Sequence, residues 1–348
     1  MMGELVKNHI ISEHLTIKEA LKVLNTLSGD ALTLLVVDDN EVMVGTLTDG
    51  DIRRKIIEGI SLEESVSWVM HKNFSFLKAG QIDVGIIRRC RVSGIVLLPC
   101  LDSEGKICKV YNLKKTYSVL PLDVVLMAGG RGERLRPLTD SVPKPLLKIG
   151  DKTIIDYNIE RLLDCGIEHL YVTVNYLAEQ LEEHFKDKRG NVKIRCIREK
   201  EYLGTLGAAG LIEEYENDLI LVMNSDLFTN IDFEEFYLYF KESGADMAVA
   251  AIPYSVAVPY GIFKIDGDRV VDVEEKPVYN YYANSGIYLI KRELLSLIPK
   301  NQHLNATDLI RMVVDRGGKV VRFPLMGYWI DIGKLEDYKK AQEFAKHL

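Results

Sequence analysis

Apolar residues recur at helical spacing from Thr16 to Leu27, and a continuous apolar run, Leu32–Val37, follows them. The turn Asp38-Asp39-Asn40 separates this run from a second strand, Glu41–Leu47. Thr48-Asp49-Gly50-Asp51 then leads into an amphipathic helix, Ile52–Glu58. The same order returns as a helical stretch Val84–Cys90, strand Gly94–Leu98, turn Asp102–Gly105, strand Lys106–Tyr111 and Asn112-Leu113-Lys114-Lys115. These are two related units of about 55 residues each. Residues 114–121 (KKTYSVLP) read as a linker. From Asp123 onward strands alternate with helices. The strands fall at Val124–Met127, Leu170–Asn175, Val192–Ile197, Leu219–Asn224 and Met247–Ile252. The helices fall at Ile154–Cys165, Ala178–Phe185, Leu206–Tyr215, Phe233–Glu242 and Leu335–Phe344. The alternation predicts an α/β chain with a doubly wound, mostly parallel sheet over residues 119–348, preceded by a smaller α/β module over 1–118.

A chain of 348 residues allows two or three domains, and 47% hydrophobic with 27% charged residues is the balance of an ordinary globular protein. No run approaches the roughly 18 apolar residues of a membrane span. The N-terminal MMGELVKNHIISEH lacks the basic-then-apolar order of a signal peptide. Five cysteines, Cys90, Cys100, Cys108, Cys165 and Cys196, are odd in number and form no CxxC pair. That argues against structural zinc and a disulfide framework and for a reducing cytoplasm. Residues 1–115 hold 15 basic and 15 acidic side chains; the remaining 29 and 36 carry the whole net charge of −7. No basic face for nucleic acid is expected.

The densest chemistry lies in LMAGGRGERLRPLTDSVPKP, residues 126–145. A buried strand opening through Ala128 into Gly129, Gly130 and Gly132 exposes successive N–H groups, an anion-binding concavity. Arg134 and Lys144 add positive charge beside it. No Gly-Lys-Ser/Thr of a Walker loop occurs, and Leu135 stands where GxGxxG needs its third glycine. Leu219–Asn224 is followed at once by Ser225-Asp226, and a second acid stands in Tyr328-Trp329-Ile330-Asp331. Two acids on separate strands beside a polyphosphate cradle suit Mg²⁺. The seven histidines are scattered, with no metal-binding spacing among them.

This set resembles the sugar-phosphate nucleotidylyltransferases, whose GGxGxRLxPLT…PKP loop it reproduces nearly residue for residue. Glu133 stands where that family often has Thr or Ser. The resemblance implies a GT-A-like fold, Arg134 on the leaving pyrophosphate, Lys144 on the transition-state phosphate, and Asp226 and Asp331 on Mg²⁺. It places Gly204 and Thr205 of the Leu203-Gly-Thr segment at the nucleobase and ribose, with Tyr202 replacing a frequent proline and Leu206 a frequent alanine. Gly261 after Tyr260, Glu275-Lys276-Pro277, and Asn284 of the N-x-G-I-Y strand match the sugar-phosphate half. The implied reaction is Mg²⁺-dependent transfer of a nucleoside monophosphate from an NTP to a hexose 1-phosphate. Similarity to guanylyltransferases of bacterial surface-sugar pathways favours GTP with mannose or glucosamine 1-phosphate. A uridylyl- or thymidylyltransferase on glucose 1-phosphate stays open, as does a non-catalytic nucleotide-sensing protein. With one helix after Asp331, the appended hexapeptide-repeat β-helix of some family members is not expected here.

The first 115 residues resemble a cystathionine-β-synthase (CBS) domain pair, a module implying adenine-nucleotide sensing and homo-oligomers. Its [Ser/Thr]-x-x-Asp motif matches Thr48 and Asp51, implying adenosine binding; the alternative is a plain helix cap. The corresponding Tyr111-Asn112-Leu113-Lys114 has neither hydroxyl nor acid where the motif needs them, so that half-site is expected to be empty.

Overall fold

The computed structural model describes residues 7–27, 31–187, 189–190 and 192–347; the first six residues of the N-terminal stretch lie outside them. The chain divides into two compact units, residues 1–120 with 164–166, and residues 121–163 with 167–348.

In the first unit β1 (Ile10–Ser12) runs parallel to β2 (Thr33–Val37), which forms a hairpin with β3 (Met43–Thr48). Helix α1 (Ile17–Thr26) opens on a capping box in which the Glu19 N–H donates to the Thr16 hydroxyl and the Thr16 N–H to the Glu19 carboxylate. Helix α2 (Asp49–Ile57) follows β3. The second half comprises β4 (Leu77–Lys78), α3 (Val84–Val92), β5 (Leu97–Leu101) and β6 (Ile107–Asn112). β4 again runs parallel to β5, and β5 and β6 form the hairpin. The repeat holds residue by residue. Thr33 pairs with Thr48 and Leu97 with Asn112, and each hairpin carries a bulge at the same place. Asp38 and Asp102 each accept two N–H groups of their own turn. The counterpart of Thr48–Asp51 is therefore Asn112–Lys115, one residue beyond the expected Tyr111–Lys114. β5 begins at Leu97 rather than Gly94, because Gly94 takes φ +74° and closes α3.

The second unit is built on a seven-stranded sheet. Its strands are β7 (Asp123–Met127), β10 (His169–Val174), β11 (Arg195–Arg198), β12 (Leu219–Asn224), β14 (Met247–Ala257), β17 (Val278–Lys291) and β18 (Val320–Pro324). The smaller strands are β8 (Lys148–Ile149), β9 (Lys152–Thr153), β13 (Leu227–Thr229), β15 (Ile262–Asp266), β16 (Arg269–Glu274) and β19 (Trp329–Asp331). The helices are α4 (Ile154–Asp164), α5 (Ala178–His184), α6 (Phe233–Ser243), α7 (Ala306–Asp315) and α8 (Leu335–Ala345). The sheet order is β11-β10-β7-β12-β17-β14-β18, parallel except for β17, which runs antiparallel to both neighbours. The central strands are apolar on both faces, as a covered parallel sheet requires. From β7 the chain builds outward through β10 to β11, then crosses to β12 on the other side. β7 is thus the switch point, and a crevice opens beyond its carboxyl end.

Two departures from the expected elements have local causes. The helix expected over Leu206–Tyr215 is a short 3₁₀ stretch, Gly207–Leu211. The Leu206 and Gly207 amides both donate to Leu304 O, and a Cβ on Gly207 would lie 2.6 Å from Gln302 O. Tertiary packing overrides helical propensity there. The strand expected over Met247–Ile252 continues to Ala257, where it pairs with the outer half of β17.

Aromatic packing holds the C-terminal elements in place. Phe228 of β13 is buried, with its ring edge-on to Tyr157 (5.2 Å between centroids) and Phe344 (6.2 Å) and tilted against Tyr328 (5.3 Å). This ring seats α8 and β19 against α4. Replacing Phe228 by Ala is expected to destabilise the second unit by about 3–5 kcal/mol in denaturant titrations. A loss below about 1 kcal/mol would show that the cluster collapses around the cavity.

Candidate active site

The crevice at the switch point is a cleft of about 820 Å³. It is lined by the glycine loop, Arg134, Lys144, Gly204, Thr205, Asp226 and Asp331, with Thr173, Glu199, Tyr202, Asn224 and Ser225. Every residue expected for the triphosphate, the nucleotide or the metal in the second unit lies here, Ala128 included. The loop leaves β7 with the Ala128 N–H donating to Thr173 O. Gly132 takes φ +62°, and its carbonyl accepts the Thr139 hydroxyl at 2.9 Å. A Cβ on Gly129 would strike the Glu199 carboxylate at 2.3 Å, whereas one on Gly130 would meet no protein atom within 4 Å. Gly130 thus leaves empty room at the loop, as a phosphate cradle requires.

The two acids are brought together by strand register. Ser225 ties the end of β12 to β7 through its hydroxyl and N–H, both on Met127 O. The chain then turns through Asp226 into β13, where Leu227 pairs with Asp331 of β19. Lys144, only 8% exposed, ion-pairs with Asp226 Oδ2 and lies 3.9 Å from Asp331 Oδ1. Asp226 Oδ1 is buried with no hydrogen-bond partner. Burial first, then the Asp226 charge, push the Asp331 carboxyl above the ordinary aspartate range, against the pull of Lys144 and Arg134. An orphaned carboxylate oxygen and a second, electrostatically strained carboxylate fit a divalent cation. No group of three or more His, Cys, Asp or Glu able to hold a metal occurs among the described residues. A pair of carboxylates alone suits Mg²⁺ completed by substrate phosphates.

Glu199 is a cleft residue that the sequence reading missed. It follows β11, at the carboxyl end of a parallel strand, and that position is the signal that could have found it. Its side chain is buried, accepts the Leu203 N–H at 2.9 Å, and is pushed up by burial, with that bond and the Thr173 hydroxyl opposing. The Leu203-Gly204-Thr205 segment is sewn to the start of α7. Gly204 takes φ +80° beneath His303, Leu304 and Asn305, and the Thr205 hydroxyl accepts the Ala306 N–H at 2.9 Å.

Residues expected for the sugar half lie outside this lining. Gly261 and Glu275 adjoin each other, since a Cβ on Gly261 would lie 2.9 Å from Glu275 Oε2. Lys276 takes φ +46°, an uncommon conformation for a side-chain-bearing residue. Asn284 donates to the Tyr288 hydroxyl at 2.8 Å and accepts the Gly286 N–H. Gly286 in turn packs on Asn224 of the cleft. In the first unit Thr48 and Asp51 form a reciprocal capping box on α2, and Asp51 Oδ1 pairs with Arg54 at 2.6 Å.

The Asp331 shift has a testable sign. An acid whose folded pKa is raised contributes stability that is present below its ordinary value and lost as pH rises through the folded value. Charging Asp331 therefore costs stability until a cation arrives. Carboxyl NMR titration should place Asp331 above the ordinary range, lower it in Asp226→Asn and raise it in Lys144→Met. An unmoved titration in Asp226→Asn would contradict the like-charge origin.

Comparison with known proteins agrees with this geometry. The model of the nucleotidyl transferase family matches residues 123–347. Mannose-1-phosphate guanyltransferase beta-B of Xenopus laevis is 31% identical over 229 residues, covering 62% of this chain and 62% of that protein. The UTP–glucose-1-phosphate uridylyltransferase of Synechocystis is 28% identical over 241 residues, 63% of this chain and 62% of that protein. The chain thus spans less than two thirds of the length of these relatives. The crystal structure of HddC from Yersinia pseudotuberculosis complexed with GMP-PN is similar with a TM-score of 0.51 and 28% identity, covering 64% of this chain and 99% of that one. Over residues 123–347 this chain belongs to the nucleotidyl transferase family.

Proposed function

We propose that this protein transfers a nucleoside monophosphate from a nucleoside triphosphate, preferentially GTP, to a hexose 1-phosphate such as mannose or glucosamine 1-phosphate. The observation that carries this reading is the buried Lys144 ammonium held between two carboxylates at the rim of the glycine cradle. An oxygen of the sugar phosphate attacks the α-phosphorus, the bond from that phosphorus to the bridging oxygen breaks, and pyrophosphate leaves with its electron pair. The attacking oxygen is already ionised, so no general base is required. What the reaction needs is positive charge on three anions at once, and fixed cations and backbone dipoles provide it. Lys144 serves the transferring phosphate, Arg134 the leaving pyrophosphate, and Lys276 the incoming sugar phosphate, with Gly261, Glu275 and Asn284 on the sugar. Mg²⁺ held by Asp226 and Asp331 would neutralise charge on the phosphate oxygens.

The preference for GTP has a chemical basis in Glu199. A carboxylate accepts two adjacent donors, and guanine presents such an edge in N1–H and N2–H₂. The uracil and thymine N3–H is flanked by two carbonyl acceptors, which a carboxylate repels. The guanyltransferase relative and the solved structure holding GMP-PN support the same base; the uridylyltransferase relative is the reason to test the alternative.

The first unit is proposed to be a CBS pair, homo-oligomeric, that senses an adenine nucleotide at the Thr48/Asp51 half-site. The repeated strand order and register support this reading. The second half-site has Asn112 and Lys115 at the matching positions and lacks the acid.

Pyrophosphate release should be screened for GTP, UTP, dTTP, ATP and CTP against mannose, glucose and glucosamine 1-phosphates. GTP is expected to lead, and Mg²⁺ removal to abolish turnover. UTP or dTTP as the best donor would overturn the base assignment, and no release with any pair would favour a nucleotide-sensing protein. Added AMP or ATP is expected to raise the melting temperature or shift the kinetics; neither change occurring would contradict adenine-nucleotide sensing.

A further inference from the structure

We propose that Tyr202, standing where the resembled family commonly has proline, is an aromatic platform on which the nucleobase stacks. The proposal rests on the cleft taking a nucleoside triphosphate. Tyr202 lines the cleft yet remains 49% exposed, so its ring is neither buried core nor free surface. Its position is fixed by neighbours. The Glu199 carboxylate accepts the Leu203 N–H, closing residues 199–203 into a tight loop with Tyr202 near its apex. Leu203 O accepts the Leu304 N–H, anchoring that loop to the segment before α7. The His303 ring packs edge-on to Tyr202 at 6.0 Å between centroids and backs it from the α7 side. Burial raises the Tyr202 hydroxyl, and the Glu199 and Asp226 charges raise it further.

A planar aromatic side chain in that place has a clear use. Every nucleobase has a π-face, and stacking adds affinity without selecting a base. Selection then falls to Glu199 at the base edge, while Tyr202 holds the base plane. A proline offers a smaller, non-aromatic surface there, so the substitution gives this chain a contact that a proline-bearing relative lacks.

The test compares ligands with and without a base on the full-length chain. Calorimetric titration with GTP and with inorganic tripolyphosphate would be run on the wild type, Tyr202→Phe and Tyr202→Leu. Tyr202→Leu is expected to weaken GTP about 5- to 150-fold, the range that base–aromatic stacking carries, and to leave tripolyphosphate unchanged. Tyr202→Phe keeps the ring and is expected to keep GTP affinity. Equal GTP binding by wild type and Tyr202→Leu overturns the platform and leaves the transferase reading intact. Equal losses for GTP and tripolyphosphate overturn it too, because the side chain would then only shape the loop. A wild type that loses GTP on Tyr202→Leu but releases no pyrophosphate overturns the transferase reading alone.

Discussion

Burying an ammonium between two carboxylates is the constraint on which the cleft depends. Removing Lys144 from water is costly unless its charge is met, and Asp226 and Asp331 meet it from two different strands. Three chain segments far apart in sequence must therefore converge: the turn after the glycine loop, the end of β12, and the end of β19. The β13–β19 ladder sets the distance between the acids, and the Phe228 cluster behind it holds the ladder against α4 and α8. The same arrangement leaves the acids one positive charge short. A divalent cation held by both acids, as proposed, would free Lys144 from them to face phosphate.

The nucleotide end is organised by glycines and one buried acid. Gly129 is required because Glu199 occupies the space of a side chain, and Gly204 because the chain enters the left-handed region beneath the start of α7. Glu199 bonds back to Leu203, so the acid proposed to read the base also fastens the loop that carries Tyr202. On that proposal stability and recognition would share the same atoms. In the first unit Thr48 and Asp51 already satisfy each other as a helix cap. A ribose at that site would have to compete with Arg54 for Asp51, or bind around the cap.

Much of this was legible before any coordinates. An apolar strand ending abruptly in three glycines, and another ending in Ser-Asp, are local patterns whose geometry follows from strand length alone. The glycine loop and Asp226 could be named for that reason, whereas Lys144 and Asp331 were named from the Pro-Lys-Pro and Tyr-Trp-Ile-Asp segments and the family they resemble. Glu199 was missed because its role depends on a side chain folding back onto its own loop, a contact without periodicity. The Leu206–Tyr215 helix was misread because its amides turn to Leu304, a hundred residues downstream, which no window of sequence contains. The second half-site was placed one residue short because β6 runs on through Asn112, where the apolar pattern alone ends the strand at Tyr111. The residues expected for the sugar were named from motif order, and the structure sets Gly261 beside Glu275 and bonds Asn284 to Gly286 and Tyr288, all outside the cleft lining.

The central claim is that Lys144 stabilises the transferring phosphate rather than only balancing two aspartates. The most direct measurement is the single-turnover rate of pyrophosphate release by Lys144→Met with saturating GTP, Mg²⁺ and sugar 1-phosphate, together with its GTP affinity. The account predicts a rate about 10²–10³-fold lower, a barrier raised by roughly 2–4 kcal/mol, with GTP affinity little changed. A near-normal rate would contradict it and leave Lys144 a structural counter-ion.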